Sequence, residues 1–201
     1  MTAATSKASR IALVLGAFAA GLTLFLGVIF LVTGLSPNPG AATSAVGGPF
    51  YLVDQNGKPF SDQDMKGKPY LVFFGYTHCP DICPTTLFEM SQLFKQLGPD
   101  ANRVGALFIT VDPERDTVAV LKEYLASFDP HLRGLTGDRQ AVDQAIKDYR
   151  VYAKKVPLKD GDYSMDHTAI VYLMDKDGHF VAPFDMQRKT EAEAADLRRY
   201  L

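Results

Sequence analysis

The sequence predicts an α/β fold preceded by a single transmembrane helix, and two observations support this prediction. An apolar run extends from Ile11 to Leu35 without one acidic, basic or histidine side chain. From about Pro49 onward, apolar runs of strand length alternate with segments whose apolar residues recur at helical spacing. Alternation of strands and helices is typical of a sheet with a parallel core. The segment 49–201 is long enough for one domain of ordinary size.

The apolar run 11–35 is interpreted as an uncleaved membrane anchor. About 20 apolar residues suffice for a helix to cross the hydrocarbon core of a bilayer. A buried core helix would normally carry a polar stripe, and this run has none. The apolar part of a signal peptide is shorter, about 7 to 15 residues. Residues 40–45, "GAATSA", offer only a weak cleavage site.

The flanking charges predict the orientation of the anchor. Lys7 and Arg10 precede it, and no basic residue follows until Lys58. The positive-inside rule therefore places residues 1–10 in the cytoplasm and the domain on the opposite side. The N-terminus has no arginine-rich transit peptide, which favours a bacterium. We expect a single-pass protein of the bacterial inner membrane with its C-terminal domain in the periplasm.

The segment between anchor and domain, residues 36–48, is rich in Pro, Gly, Ala and Ser and is predicted to be a flexible tether. The domain beyond it carries 19 basic residues (21 in the chain minus Lys7 and Arg10) against 23 acidic ones, a net charge of 19 − 23 = −4. This balance provides no basic surface for nucleic acid, so nucleic-acid binding is not expected.

The first half of the domain contains a hairpin, a strand and a helix. Residues 50–60, "FYLVDQNGKPF", indicate an N-terminal β-hairpin in which Asn56-Gly57 would form a primed turn. Residues 69–76, "PYLVFFGY", form a continuous apolar run, as in a strand buried on both faces. Residues 84–98 then show helical spacing and end at Gly98-Pro99. The apolar positions of that helix are Leu87, Met90, Phe94 and Leu97.

The second half continues the alternation. Residues 103–112 predict another buried strand, and Asp116 or Thr117 can cap the helix that follows. A further amphipathic helix covers 138–151, residues 167–184 predict a strand pair, and the chain ends in a helix. This order matches a thioredoxin-like fold with an added N-terminal β-hairpin. In such a fold a cysteine pair lies where the first central strand meets its helix.

Both cysteines of the chain, Cys79 and Cys83, lie at this junction within "YTHCPDICP" (76–84). A helix N-terminus favours a thiolate, which attacks disulfides and also binds soft metals. Three residues separate the cysteines, whereas thioredoxin-type reductases use Cys-x-x-Cys. A redox disulfide, a metal site and two buried structural thiols are therefore the alternatives that the pair leaves open.

A metal site would need a third ligand, and the chain has four histidines. His78 adjoins Cys79, but neighbouring side chains tend to diverge, while His131 and His179 are expected at exposed turns. His167 is predicted to open the strand that begins beside the cysteine loop, so we expect it to be the third ligand. Two thiolates and one imidazole suit Cu(I), and Cu(II) with an added ligand, whereas zinc usually takes a fourth ligand. Met165 is polarizable and more typical of packing.

The sequence resembles the Sco/SenC family of copper-binding proteins, which help to assemble cytochrome c oxidase. The resemblance rests on three motifs in order, "FFGYTHCPDICP", "FITVDPERDT" and "DHTAIVYLMD", and on the N-terminal anchor. It implies that Cys79, Cys83 and His167 bind copper. It also implies that copper is transferred to the CuA site of cytochrome c oxidase subunit II, or that the thiols of that site are kept reduced. Other copper chaperones or thiol reductants would be further partners.

Two function classes follow. The leading hypothesis is a membrane-anchored copper chaperone rather than an enzyme, with an additional thiol–disulfide reductase activity left open. The alternative is a membrane-tethered thiol–disulfide oxidoreductase in which Cys79 and Cys83 are the catalytic pair and copper plays no part. Nothing but the fold suggests a peroxidase. Turn formation and helix capping account for Asp112 and Asp116 in the second motif, although the resemblance makes Asp112 a possible neighbour of the site.

Overall fold

The computed structural model describes residues 7–34, 46–159 and 161–201, in two compact units that divide between Thr43 and Ser44. In the first unit, α1 (Lys7–Gly34) contains the span Ile11–Ile29, with a mean hydropathy of 2.4 and no buried residue. By length and composition this helix can cross a membrane. Leu35 and most of the tether predicted at 36–48 lie outside the described residues, as do residues 1–6.

The second unit is built around a seven-stranded mixed sheet with the strand order β2-β1-β5-β4-β3-β8-β9. Its three central strands, β3, β4 and β5, are parallel to one another, and the remaining pairings are antiparallel. β6 and β7 form a separate two-stranded antiparallel sheet. The strands are β1 (Tyr51–Asp54), β2 (Pro59–Ser61), β3 (Tyr70–Gly75), β4 (Gly105–Thr110), β5 (Leu132–Thr136), β6 (Ala153–Pro157), β7 (Tyr163–His167), β8 (Val171–Met174) and β9 (Phe180–Phe184).

Four helices accompany the sheet, and they are α2 (Ile82–Leu97), α3 (Val118–Leu125), α4 (Arg139–Asp148) and α5 (Thr190–Leu197). Short 3-10 turns occupy Asp62–Met65, Gly98–Arg103 and Arg198–Tyr200. α2 packs against α5, α3 against β5, and α4 against β1. Every residue of β3 and β4 is buried, as the continuous apolar runs predicted. The predicted apolar face of α2 is buried too, which confirms the helix assignment.

The turn between β1 and β2 differs from the predicted primed turn. A primed turn would need positive φ at both Asn56 and Gly57, but only Gly57 has it, at +77°. The Gly57 amide donates to the Asp54 carbonyl, and the Asp54 carboxylate accepts from the amides of Asn56 and Lys58. The longer four-residue connection thus takes its shape from an aspartate, with glycine supplying the single left-handed position.

Three strands were not anticipated from the sequence. β5 is one of them, and the other two are β6 and β7. The predicted strand beginning at His167 is wrong in its start, because His167 is the last residue of β7 and β8 begins only at Val171. β6 and β7 are largely polar and half exposed, so they lack the apolar runs that marked the central strands. Periodicity alone could not detect them.

The structure also decides which residue caps α3. The Thr117 hydroxyl accepts from the Val120 amide and is the cap. Asp116 is instead fully buried and faces the cysteine loop.

Candidate metal centre

The cysteine loop connects the end of β3 to the start of α2. The Cys79 amide donates to the Tyr76 carbonyl at 3.2 Å, which closes a turn over the loop. Cys83 is the second residue of α2, and its amide donates to the Cys79 Sγ at 3.4 Å. Both cysteines are free thiols, Cys79 partly exposed and Cys83 buried. The prediction that Cys83 lies near a helix start is confirmed, because α2 begins at Ile82.

The Cys83 sulfur is placed by a close approach to the end of β3. A β-carbon at Gly75 would lie 2.7 Å from the Cys83 Sγ and 2.7 Å from the Phe108 ring, closer than real contacts allow. Glycine is therefore required there by space rather than by its backbone angles. Cys83 is 0% exposed and belongs to the hydrophobic core. Its sulfur thus lies at the inner wall of the site, and that of Cys79 nearer the solvent.

His167 reaches the cysteines from the end of β7. Its Nε2 lies 3.6 Å from the Cys83 Sγ, while its Nδ1 lies 3.1 Å from the Thr168 carbonyl. An Nδ1–H donated to that carbonyl leaves the Nε2 lone pair free for a metal ion. The imidazole packs edge-on against Tyr76, with ring centroids 5.7 Å apart. One ligand atom from each of Cys79, Cys83 and His167 lies within 4.8 Å of the other two.

Burial shifts the pKa values of Cys83 and His167 in opposite directions. Burial raises the pKa of the Cys83 thiol, and the nearby Cys79 adds to the rise. This corrects the expectation of a thiolate at Cys83, since burial outweighs the helix N-terminus while no metal is bound. Burial lowers the pKa of His167, although the hydrogen bond to Thr168 opposes the change. The imidazole is therefore neutral at pH 7, the form that binds a metal.

The other three histidines are not in the group of ligand atoms around the cysteine pair. His78 is exposed, with its Nδ1 3.1 Å from the Thr77 hydroxyl. His131 bonds to the Asp129 carboxylate and stacks on the Phe94 ring. His179 lies in an exposed turn with Asp175 and Asp177, a second group of potential ligands within the described residues. The Asp175 carboxylate there already accepts from the turn amides of residues 177 and 179.

The two aspartates of the second motif act on the surroundings of the site. Asp116 accepts from the Thr77 amide and hydroxyl and from the Thr110 hydroxyl, which ties the cysteine loop to β4. Burial raises the pKa of Asp116, although these hydrogen bonds oppose the rise. Asp112 lies outside the group of potential ligands and bonds to Arg115 and Tyr163.

Sequence reasoning missed three residues that shape the site. They are Gly75, Thr77 and Tyr163. Gly75 ends an otherwise apolar strand, and a glycine within such a run often marks a close approach of other atoms to the backbone, so this one could have been found. Nothing in the sequence marks Thr77 or Tyr163, because their partners are distant along the chain. Met165, considered as a weaker ligand, is 7% exposed and packs in the core.

The fold and the site define a thioredoxin-like protein with a two-cysteine, one-histidine centre suited to a soft metal ion. The chain belongs to the SCO1/SenC family, whose model matches residues 38–201. This confirms the resemblance carried by the three sequence motifs.

Solved structures and curated relatives agree with this assignment. The chain is 63% identical to Bradyrhizobium japonicum ScoI solved with copper bound, with a TM-score of 0.76 over 78% of this chain and 99% of the other. It is 26% identical to BsSco, described as a member of the Sco family of cytochrome c oxidase assembly proteins, with a TM-score of 0.62 over 76% and 91%. A human relative, the mitochondrial SCO1 homolog, is 40% identical over 162 residues, or 78% of this chain and 53% of the relative.

The curated relatives are longer than the part that is shared. The chain spans about half to two thirds of the length of the curated relatives it matches, and it covers 50%, 64% and 56% of three of them. Bacterial relatives occur beside the mitochondrial ones, among them a SCO2-like protein of Rickettsia felis that is 41% identical.

Proposed function

We propose that this chain is a membrane-anchored copper chaperone that holds copper through the Sγ atoms of Cys79 and Cys83 and the Nε2 of His167. One observation carries the proposal: two thiols and a neutral imidazole, drawn from two separate elements, present ligand atoms within 4.8 Å of one another. Relatives solved with copper bound share this fold. Metal–sulfur and metal–nitrogen bonds of about 2.0 to 2.3 Å would require only a small closure of that cluster.

Cys83, His167 and Cys79 each have a different role in binding the ion. Cys83 is protonated without metal, so its proton leaves when copper binds, and the buried sulfur then holds the ion from the core side. His167 contributes a neutral nitrogen fixed by its bond to Thr168, and adds no charge. Cys79 faces outward and is the sulfur that an acceptor can approach first. Copper would leave by stepwise exchange of these ligands for those of the acceptor.

The proposed acceptor is the CuA site of cytochrome c oxidase subunit II, either as recipient of copper or as a pair of thiols kept reduced. Support comes from the family, since BsSco is described as a cytochrome c oxidase assembly protein. The proposed location is the bacterial inner membrane, with α1 as the anchor, residues 36–48 as a tether and the domain 49–201 in the periplasm. The exposed apolar surface and the length of α1 support the anchor, and Lys7 and Arg10 support the orientation.

A thiol–disulfide oxidoreductase is the second candidate. The sulfurs of Cys79 and Cys83 lie within 4.8 Å of each other, so the two thiols could close a disulfide after modest movement. In that reaction one thiolate would attack an acceptor disulfide, and the other would resolve the mixed disulfide and release the acceptor as a dithiol. His167 has no necessary role in such an exchange, which separates the two functions.

The test is an anaerobic Cu(I) titration of the full chain in detergent, in competition with a chromophoric Cu(I) chelator. We expect one tightly bound equivalent, and a loss of at least about 100-fold in affinity in His167→Ala because one of three ligands is removed. His78→Ala is the matched control, an exposed histidine beside the same cysteines, and should bind as wild type. Unchanged affinity in His167→Ala, with disulfide reduction retained, would favour the oxidoreductase.

A further inference from the structure

The hairpin of β6 and β7 carries His167 but is not part of the main sheet. Its five residue pairs run from Ala153–His167 at one end to Pro157–Tyr163 at the other. Among the described strands, none of the seven in the main sheet pairs with it. The position of His167 relative to the cysteines therefore depends on the short connection 168–170 to β8 and on side-chain contacts that hold the hairpin in place.

Its far end is bound to the loop after β4 by Asp112 and Arg115. Asp112 accepts from the Tyr163 hydroxyl at 2.9 Å and from the Arg115 Nε at 2.5 Å. The Arg115 Nη1 donates to the Tyr163 carbonyl at 2.9 Å and to the Asp162 carboxylate at 3.2 Å. The guanidinium carbon also lies 3.7 Å from the centre of the Tyr163 ring. We call this group of contacts the hairpin clamp.

The Asp112–Arg115 pair at the centre of the hairpin clamp is enclosed, whereas the Asp162 side chain is 58% exposed. Asp112 is 0% exposed, and the Arg115 side chain is 17% exposed. The buried Nη2 of Arg115 has no hydrogen-bond partner. Exposed ion pairs contribute little to stability, whereas charge-assisted hydrogen bonds in an enclosed site are stronger. The same hairpin and loop also offer an exposed pair, Lys155 with Glu114, which provides a natural comparison.

The clamp also reaches the metal centre through Tyr76. The Arg115 guanidinium lies 5.8 Å from the Tyr76 ring, on which the His167 imidazole packs edge-on. Tyr163 and His167 are four residues apart on one strand, about 13 Å at about 3.3 Å per residue. A rigid hairpin fixed at Tyr163 thus limits where the imidazole can lie. Removing the clamp would leave His167 held by its ring contacts and by the buried Met165.

We propose that Asp112 and Arg115 are positioning residues for the metal centre, which lock the β6–β7 hairpin and so hold the His167 Nε2 within reach of the two sulfurs. They touch no metal ligand directly in this role. The inference rests on the proposed copper site, since it concerns the geometry of the third ligand of that site. It gives the second sequence motif a function beyond turn formation.

The first arm of the test is a double-mutant cycle on Cu(I) affinity, measured on the full chain in detergent. Arg115→Met keeps an apolar side chain of similar length and removes the guanidinium group. We expect about 10- to 100-fold weaker Cu(I) binding, as for other residues that orient a metal ligand. In the His167→Ala background the same substitution should change nothing, because the ligand being positioned is gone. Arg115→Lys should fail to restore affinity, since it lacks the two-pronged geometry. Glu114→Gln, which breaks the exposed pair, should bind as wild type.

The second arm needs no copper. Amide hydrogen exchange of metal-free Arg115→Met should be at least about tenfold faster in the β6–β7 ladder and unchanged in β3 and β4. The His167 ring signals in NMR spectra should shift as well. Equal losses of affinity with and without His167, or an affinity equal to wild type, would overturn the positioning role. If the wild-type chain binds no Cu(I), the proposed function fails, and unchanged exchange and ring signals would then overturn the clamp.

Discussion

The two halves of the candidate metal centre are built in opposite ways. Cys79 and Cys83 lie where a fully buried central strand enters a helix with a buried apolar face. His167 ends a half-exposed strand of a two-stranded sheet that shares no pairing with the main one. The cysteine loop is anchored by core packing and by the hydrogen bonds of the fully buried Asp116, whereas the hairpin is held by partly exposed side-chain contacts.

This difference indicates how the proposed copper site could both hold and release an ion. Ligands fixed by the core keep their geometry when the ion leaves, because moving them would disrupt close packing. A ligand on a separately held hairpin can move at the cost of a few polar contacts. We infer that the imidazole is the ligand whose place can change, and three experiments test the contrast.

The largest expected effect is on the cysteine loop, through Asp116. Asp116→Ala leaves the Thr77 amide and the hydroxyls of Thr77 and Thr110 without their acceptor. Unsatisfied buried donors cost about 1 to 3 kcal/mol each, so we expect a loss of about 3 kcal/mol in the free energy of unfolding. Urea unfolding of a chain comprising Ser44–Leu201, followed by circular dichroism, measures it.

The matched control for that experiment is Asp81→Ala. Asp81 is an exposed aspartate of the same loop, and its side chain makes no capping bond to α2. We expect a change of less than about 0.5 kcal/mol. Equal effects of the two substitutions would show that burial and bonding of Asp116 do not secure the loop.

A smaller effect is expected from Gly75→Ala. The added methyl group would press on the Cys83 sulfur and the Phe108 ring, and overpacking of this kind costs about 1 to 3 kcal/mol. Displacement of the sulfur should also weaken Cu(I) binding, measured by the same chelator competition. Gly57→Ala is a control of another kind, because it strains a left-handed turn but meets no atom nearby. It should lower stability and leave Cu(I) affinity unchanged.

The smallest effect is a pH dependence that separates the two halves in the metal-free chain. The raised pKa of Cys83 means that its stabilising contribution is complete below about pH 8.5 and is lost as the pH rises above it. The lowered pKa of His167 means that its contribution is complete above about pH 6.5 and is lost as the pH falls below it. Each slope is at most about 1.4 kcal/mol per pH unit.

Unfolding measured from pH 5 to 10 on variants assigns each slope. Cys83→Ala should flatten the alkaline side of the stability profile and His167→Gln the acid side. An acid slope that persists in His167→Gln would mean that another group is responsible. Cu(I) binds the thiolate form of cysteine, so a protonated thiol must lose its proton when the ion binds. Cu(I) affinity should therefore rise with pH, about tenfold per pH unit for each such thiol.

Much of this arrangement was predictable from local sequence. The apolar runs predicted a helix at 11–35 and buried strands at 69–76 and 103–112, and the structure has a helix that covers 11–34 and buried strands inside the other two runs. The helix predicted from the spacing of Leu87 to Leu97 is present as well. Each depends on periodicity within a short segment, where burial on one or both faces leaves a direct trace. The grouping of the cysteines with His167 was also anticipated, although with His167 placed on the wrong strand.

Other features required the tertiary structure. The polar strands β6 and β7 have no apolar period, because they pack through a few side chains rather than through a buried face. The protonation of Cys83 follows from burial against Gly75 and Phe108, which a helix-start argument cannot include. Asp112 and Tyr163 are 51 residues apart along the chain, and their contact depends on where two loops meet.

The sequence by itself determined most of the elements, an apolar helix long enough to cross a membrane and the chemical types of the candidate ligands, because these depend on composition and spacing over short distances. The tertiary structure decided which sulfur is buried, which nitrogen of His167 faces it, and what holds the hairpin in place. Those features arise from contacts between residues far apart in the chain, and their energies depend on burial, which exists only in the folded protein.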